Sequence, residues 1–208
     1  MSPTHIPIGA IAVLSLAGAA YAQSSSDSAT AEHVENGVPL SRLIATVAKK
    51  TSKKFVVDPR VHGEAAIVGQ DPANINYGDL LTILHVYGFT AVEYGGYVNV
   101  IPDAAVRQLP LPQLSGREAL PDAEFVSKVI TVKSVPASQL VPILRPMIPQ
   151  MGHLVALPCV NKLILVDTYA NVRRLQAIIE TLDVGEPYKP ENCEPTPRTA
   201  NEPNADHR

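Results

Sequence analysis

Apolar residues recur at helical spacing in several stretches of the chain and cluster into short β-type runs between them. Leu40, Leu43, Ile44, Val47 and Ala48 fall at i, i+3, i+4, i+7 and i+8, the stripe of an amphipathic helix. Lys49, Lys50, Lys53 and Lys54 gather near its C-terminal end, where the helix dipole favours cations. Phe55-Val56-Val57 then predicts a short strand ended by Asp58-Pro59, because proline cannot donate to a ladder and restricts the residue before it. A second short strand is expected over Ala65–Val68. Tyr77, Leu80, Leu81, Leu84 and Tyr87 repeat the helical stripe and stop at Gly88, a residue suited to a C-terminal cap. Thr90–Tyr94, Gly95-Gly96 and Tyr97–Ile101 read as strand, two-residue turn and strand.

A second block repeats the theme. Val126–Val132 is rich in β-formers, and Ala137–Met147 carries Leu140, Ile143, Leu144 and Met147 on one helical face, with Pro142 expected to kink it. His153–Leu157 and Lys162–Val166 predict two strands joined through Pro158–Asn161. Asp167 or Thr168 then caps a helix with Val172, Leu175, Ile178, Ile179 and Leu182 inward and Arg173, Arg174, Gln176 and Glu180 outward. The order is βαββα. The expected class is α+β: two small domains, each a short mixed or antiparallel sheet with two helices.

Composition marks the boundaries. Residues 102–122 hold several prolines without apolar period and read as a linker between a domain over 31–101 and a domain over 123–184. Residues 185–208, rich in Pro, Glu, Asn and Thr, read as a disordered tail. At the other end, the uncharged apolar run Ile6–Ala20 leads into Ala20-Tyr21-Ala22, a small-x-small site, so residues 1–22 read as a cleaved signal peptide. The run is shorter than the roughly 20 residues of a spanning helix, and export to the periplasm is expected. The n-region departs from the usual pattern in having His5 and no Lys or Arg.

Charge and reactive side chains narrow the function classes. With 17 Lys+Arg against 20 Asp+Glu the net charge is -3, which lacks the basic footprint of nucleic-acid binders. His33, His62, His85, His153 and His207 show no ligand spacing, Ser24–Ser26 lack a nucleophile-elbow context, and Asp58 reads as a turn residue. No catalytic residue, metal site, cofactor or small-molecule substrate is expected. His85 borders an apolar stripe and reads as a partly buried structural histidine. Cys159 and Cys193 read more simply as one partly buried and one exposed thiol; a disulfide pinning the tail is the alternative that an oxidising compartment permits. Tyr94 and Tyr97 flank the hairpin turn, either as a stabilising cross-strand pair or as a docking site at an open strand edge. Arg173 and Arg174 read as a solvated helix face, with packing against a neighbouring copy as the alternative.

Several strings resemble the N-terminal periplasmic domains of secretins, the outer-membrane channel proteins of type II secretion. In the first block these are VVDPRVHG (Val56–Gly63) and HVYGF before the hairpin (His85–Phe89). In the second they are RPMIPQMGHLVALP (Arg145–Pro158), NKLILVD (Asn161–Asp167) and ANVRRLQAIIETLD (Ala170–Asp183). The first block is similar to the domain shared with the signalling domain of TonB-dependent receptors, and the second resembles the KH-like secretin repeat. Ser52 departs from the family by standing where a Gly is common after the first helix, and Ala31–Val38 is a poor version of its first strand. KH proteins that bind RNA use a GXXG loop, which does not occur here.

The resemblance implies a non-enzymatic protein-interaction component of a type II secretion machine, an accessory or assembly subunit without the channel region. Its partners would be secretin subunits, an inner-membrane assembly component or exported cargo, with self-association into a ring. The alternative it implies is a periplasmic signal-relay domain.

Overall fold

The computed structural model describes residues 37–116, 118–190 and Cys193. The first domain comprises β1 (Val38–Pro39), α1 (Leu40–Thr51), β2 (Phe55–Val57), β3 (Glu64–Ala65), α2 (Tyr77–Val86), β4 (Phe89–Tyr94) and β5 (Tyr97–Pro102). Leu40, Leu43, Ile44 and Val47 of α1 are buried, as the stripe requires. The helix ends on Ser52 in the left-handed region (φ 55°), the cap conformation for which glycine is the cheaper residue. At the start of α2, the Asn76 side chain accepts the Asp79 N–H while the Asp79 carboxylate accepts the Asn76 N–H, a reciprocal cap that satisfies two backbone donors. Leu80, Leu81 and Leu84 bury the helix against α1 and against Ala91, Val98 and Val100 of the sheet.

That sheet has the order β2-β5-β4, with β2 parallel and β4 antiparallel to β5, while β1 and β3 pair separately. The expected strand over Ala65–Val68 is displaced to Glu64–Ala65. Its length is set by β1, whose only two residues, Val38 and Pro39, face Ala65 and Glu64. Gly95 and Gly96 both have positive φ (64° and 76°), the pairing of central residues that suits a tight hairpin to the strand twist.

The second domain comprises β6 (Gln113–Leu114), β7 (Phe125–Thr131), α3 (Ala137–Leu144), β8 (His153–Leu157), β9 (Lys162–Thr168) and α4 (Tyr169–Leu182). Its sheet runs β6-β7-β9-β8, with β6 parallel to β7 and the other pairs antiparallel. One face, carrying Val126, Ile130, Leu154, Leu163 and Leu165, packs on both helices. The arrangement is the α+β architecture expected from the βαββα order, with one strand added ahead of it.

Three inward assignments change, Ile143, Met147 and Leu182. Helix α3 stops at Leu144, two residues past Pro142, and continues as a 3-10 turn over Arg145–Met147. The tighter turn carries Ile148 into the core with Ala137, Leu140 and Leu144, leaving Ile143 and Met147 exposed. On α4, Leu182 is exposed because it occupies the last position of the helix, beyond the packed stripe of Val172, Leu175 and Ile179. Thr168, rather than Asp167, caps this helix by accepting the Asn171 N–H.

The expected linker is folded. Asp103–Gln108 forms a 3-10 turn whose Val106 is fully buried, packing with Val92 of β4 and Phe125 of β7. On the face of the first sheet opposite its helices, the β4 side at Val92 is thus covered by the connector and by a phenyl ring from the second domain, while Val56 at the β2 edge of the same face stays exposed. Gln113 and Leu114 then add to the edge of β7, and the Pro112 carbonyl accepts the Ser127 N–H at 2.9 Å. Proline is compatible with this position because an edge strand needs only half of its ladder.

The segment after α4 is tied down where it is described. The Asp183 carboxylate accepts the N–H groups of Lys133, Ser134 and Val135, the Gly185 carbonyl accepts the Ser134 hydroxyl, and the Tyr188 N–H donates to the Lys133 carbonyl. Cys159 and Cys193 form a disulfide with their Cα atoms 5.2 Å apart, in place of the two separate thiols expected first. The signal peptide assigned to residues 1–22, His33, His207 and most of the tail lie outside the described residues.

Candidate interaction surfaces

The first surface is the hairpin tip. Tyr94 and Tyr97 stand directly opposite each other across the turn, 40% and 45% exposed. The Asn99 amide donates to the carbonyls of Tyr97 (3.1 Å) and Tyr94 (3.3 Å), which ties the tip to the strands. The Lys54 ammonium lies 5.9 Å from the Tyr97 ring centroid, so the aromatic surface carries a neighbouring positive charge. Strand order limits what the hairpin can offer by strand addition. Because β5 is paired on both sides, only β4 presents an outer edge; the sheet's other edge is β2, with Val56 and Val57 exposed.

The second surface is the outer side of the second sheet. Val129, Ile164 and Val155 are consecutive cross-strand neighbours on β7, β9 and β8, and all three point away from the helices. Val129 and Val155 are exposed, giving this face an apolar row flanked by Lys162 and His153.

Arg173 and Arg174 lie on the exposed side of α4 but face different neighbours. The Arg173 guanidinium is 5.5 Å from the Tyr169 ring centroid, beside a cleft of about 550 Å³ that Lys128 and Glu180 also line. Arg174 donates to the Met147 carbonyl at 3.3 Å. The two arginines therefore do not form one patch.

Among the described residues no group of three or more His, Cys, Asp or Glu side chains is placed to hold a metal ion. Asp58 accepts the N–H and guanidinium of Arg60 within its own turn, and these hydrogen bonds lower its pKa to about 2. Also among the described residues, no helix is long and apolar enough to cross a membrane.

Sequence reasoning missed three residues that organise these surfaces. Phe125 joins the domains, Asn161 ties the β8–β9 turn to α3, and Asp183 holds the loop after β7. Each contact spans a distance along the chain that local patterns do not reveal. The left-handed conformation of Asn161 (φ 46°) fits the tolerance of asparagine for that region, a signal present in its position at the end of a turn.

Residues 36–100 match the family described as GspD-like, N0 domain, and residues 127–187 match the bacterial type II/III secretion system short domain. The chain is 34% identical to the secretin XcpQ of Pseudomonas aeruginosa over 146 residues, 69% of this chain and 21% of that protein. It is 32% identical to the secretin GspD of Vibrio cholerae over 152 residues, 71% of this chain and 23% of that protein. The chain thus spans about a fifth of the length of the curated relatives it matches. Among solved structures it is similar to the Klebsiella pneumoniae type II secretion system outer membrane complex of PulD, PulS and the PulC HR domain. That likeness has 26% identity and a TM-score of 0.62, and covers 71% of this chain and 26% of the matched one.

Proposed function

Because this chain carries the N0 domain and the short domain of type II secretion secretins, we propose that it is a periplasmic, non-enzymatic docking component of such a machine. It acts by surface complementarity, as an assembly or accessory subunit. The observation that carries the reading is that both domain types occur in order on one chain, with the fold-level likeness to the Klebsiella complex extending over both. In this proposal the hairpin tip of the first domain receives a homologue of the PulC HR domain, and the apolar face of the second domain packs against a neighbouring secretin-type subunit.

The match of residues 127–187 to the secretion short domain weighs against the signal-relay alternative, which has no use for that domain. In vivo crosslinking, envelope purification and mass spectrometry test the proposal. Enrichment of secretion-system components is the expected result; their absence from the crosslinked species overturns it.

A further inference from the structure

The outer edge of β7 is served at both ends and left open between them. At its start β6 pairs with Ser127 and Lys128 alone and then turns away, because the N–H groups of Ser115 and Gly116 both donate to the Glu118 carboxylate. Past its end the Lys133 N–H donates to the Asp183 carboxylate at 2.8 Å, and the Lys133 carbonyl accepts the Tyr188 N–H, also at 2.8 Å. Ladder alternation fixes what lies between. The Ser127 N–H turns to the Pro112 carbonyl and the Val132 N–H to the Asn161 carbonyl, so the odd-numbered residues of β7 aim their backbone groups away from β9. The Val129 carbonyl and both backbone groups of Thr131 therefore face outward, and among the described residues no hydrogen bond meets them.

These three groups open on free space. A cleft of about 370 Å³ separates Val129–Thr131 from Ile179 and Glu180 of α4, and it shares Lys128, Gln176 and Glu180 with the cleft of about 550 Å³ beside Arg173. The two form one slot along the edge, and its charge is one-sided. Lys128, Lys133 and Arg173 line it, and among the described residues none of them is in an ion pair. Its two carboxylates are already engaged, Glu180 by the Gln176 amide at 2.8 Å and Asp183 by the N–H groups of Lys133 and Ser134.

We propose that this slot binds an extended, acidic segment of a partner protein as an added strand of the second sheet. The segment continues the edge pairing that β6 begins, meeting the Val129 carbonyl and both groups of Thr131 over about 10 Å at strand rise. Its alternate side chains fall on the α4 side, where carboxylates meet the unpaired charges of Lys128 and Arg173; a basic segment would set like charges together there and be rejected. The site is separate from the Val129–Ile164–Val155 row, because it uses backbone at the edge and not side chains on the outer face. It stands independently of the assignment to a secretion machine, since it needs only the edge and its charges.

The test uses the full, oxidised chain and nuclear magnetic resonance, with acetyl-Glu-Val-Glu-Val-Glu-amide and acetyl-Lys-Val-Lys-Val-Lys-amide as probes. The acidic peptide should shift the amides of Val129–Lys133 and of Gln176 and Glu180. At about ten times its dissociation constant it should slow exchange of the Thr131 amide about tenfold, since only unbound protein exchanges. The basic peptide should do neither. Thr131→Pro removes the outward donor from an edge position that tolerates proline, and should abolish the shifts at Val129 and Gln176 while Leu154 and Leu175 stay native. Lys128→Glu with Arg173→Glu should weaken binding of the acidic peptide at least about tenfold, and carries the comparison if Thr131→Pro does not fold. Unchanged Thr131 exchange with the acidic peptide overturns the proposal, as does equal binding of the basic peptide or wild-type binding by either folded variant. Free glutamate reproducing the shifts would overturn it in favour of a simple anion site. A Thr131 shift that follows protein concentration without peptide would overturn it in favour of a second copy of the chain.

Discussion

Asn161 Oδ1 accepts the backbone N–H of Ala137 at 2.7 Å, so a residue of the β8–β9 turn caps a helix that begins 24 positions earlier in the chain. The residue preceding α3 is Pro136, which has no side-chain oxygen to do this locally. The same Asn161 amide donates to the carbonyls of Val132 and Val135, so its side chain is buried with three hydrogen bonds made. Asn161→Ala leaves three buried backbone groups unpaired and should destabilise the second domain by about 2–4 kcal/mol. Asn161→Gly loses the same bonds but tolerates the positive φ, and should be less damaging by up to about 1 kcal/mol. Urea midpoints of the three proteins check this, and a loss below about 0.5 kcal/mol for alanine would contradict the bonding role.

Asp183 ties the end of α4 to the loop after β7, and its protonation should loosen that loop. Burial on its own would push this carboxyl up, but the N–H groups of Ser134, Lys133 and Val135 outweigh it and hold the folded-state pKa below the ordinary value. The stabilisation is therefore present above the unfolded-state pKa and lost as pH falls through the depressed folded-state pKa. Asp183→Ala should cost about 1–2 kcal/mol near neutral pH, after allowance for solvent screening, and should flatten the acid limb of the stability profile. Thermal melts from neutral to acid pH measure both effects; an unchanged acid limb would show that the carboxylate is not the acceptor.

The Cys159–Cys193 disulfide closes a loop that contains β9 and α4, with a separation of 34 residues. The chain-entropy relation gives about 3–4 kcal/mol for a loop of that length. Reduction, or Cys159→Ser with Cys193→Ser, should lower the unfolding free energy by at most that amount, read from the shift of the denaturant midpoint. Exchange of the Tyr188 amide, now bonded to the Lys133 carbonyl, should rise with it. Thiol counting on the denatured, unreduced protein should find no reactive thiol.

Both stripes that begin a domain's packing were visible in the amino-acid order, because Leu40, Leu43, Ile44 and Val47 meet one core and Val172, Leu175 and Ile179 the other. The Gly95-Gly96 hairpin was visible for a similar reason, since two adjacent glycines meet the positive φ at both central positions. What stayed hidden was anything decided by a distant surface. Val106 carries no periodic signal, yet it is buried because Val92 and Phe125 need a third side chain between them. Prolines at 110 and 112 suggested a plain spacer, although the Pro112 carbonyl serves the edge of β7. Of the interaction surfaces, Tyr94 and Tyr97 announced themselves as aromatics at a turn, whereas the Val129–Ile164–Val155 row required the register of three strands.

The hairpin tip separates fold from docking because its tyrosines are exposed at the turn while the core of the first domain lies behind them. Tyr94→Ala with Tyr97→Ala removes a cross-strand aromatic pair, a loss of up to about 1 kcal/mol, and leaves Val98 and Val100 buried against both helices. The double variant should therefore fold, with a slightly lower melting temperature. If the tip receives an HR-type domain, binding of that purified domain should weaken by at least about tenfold, or 1.4 kcal/mol, as expected for an aromatic anchor at an interface. Val129→Lys with Val155→Lys supplies the contrast, since both lie on the outer sheet face of the other domain: HR-type binding should hold while any self-association measured by sedimentation weakens. Unaltered binding by a folded tyrosine double variant would move the docking site away from the hairpin, and the unpaired outer edge of β2, with Val56 and Val57 exposed, would be the next place to substitute.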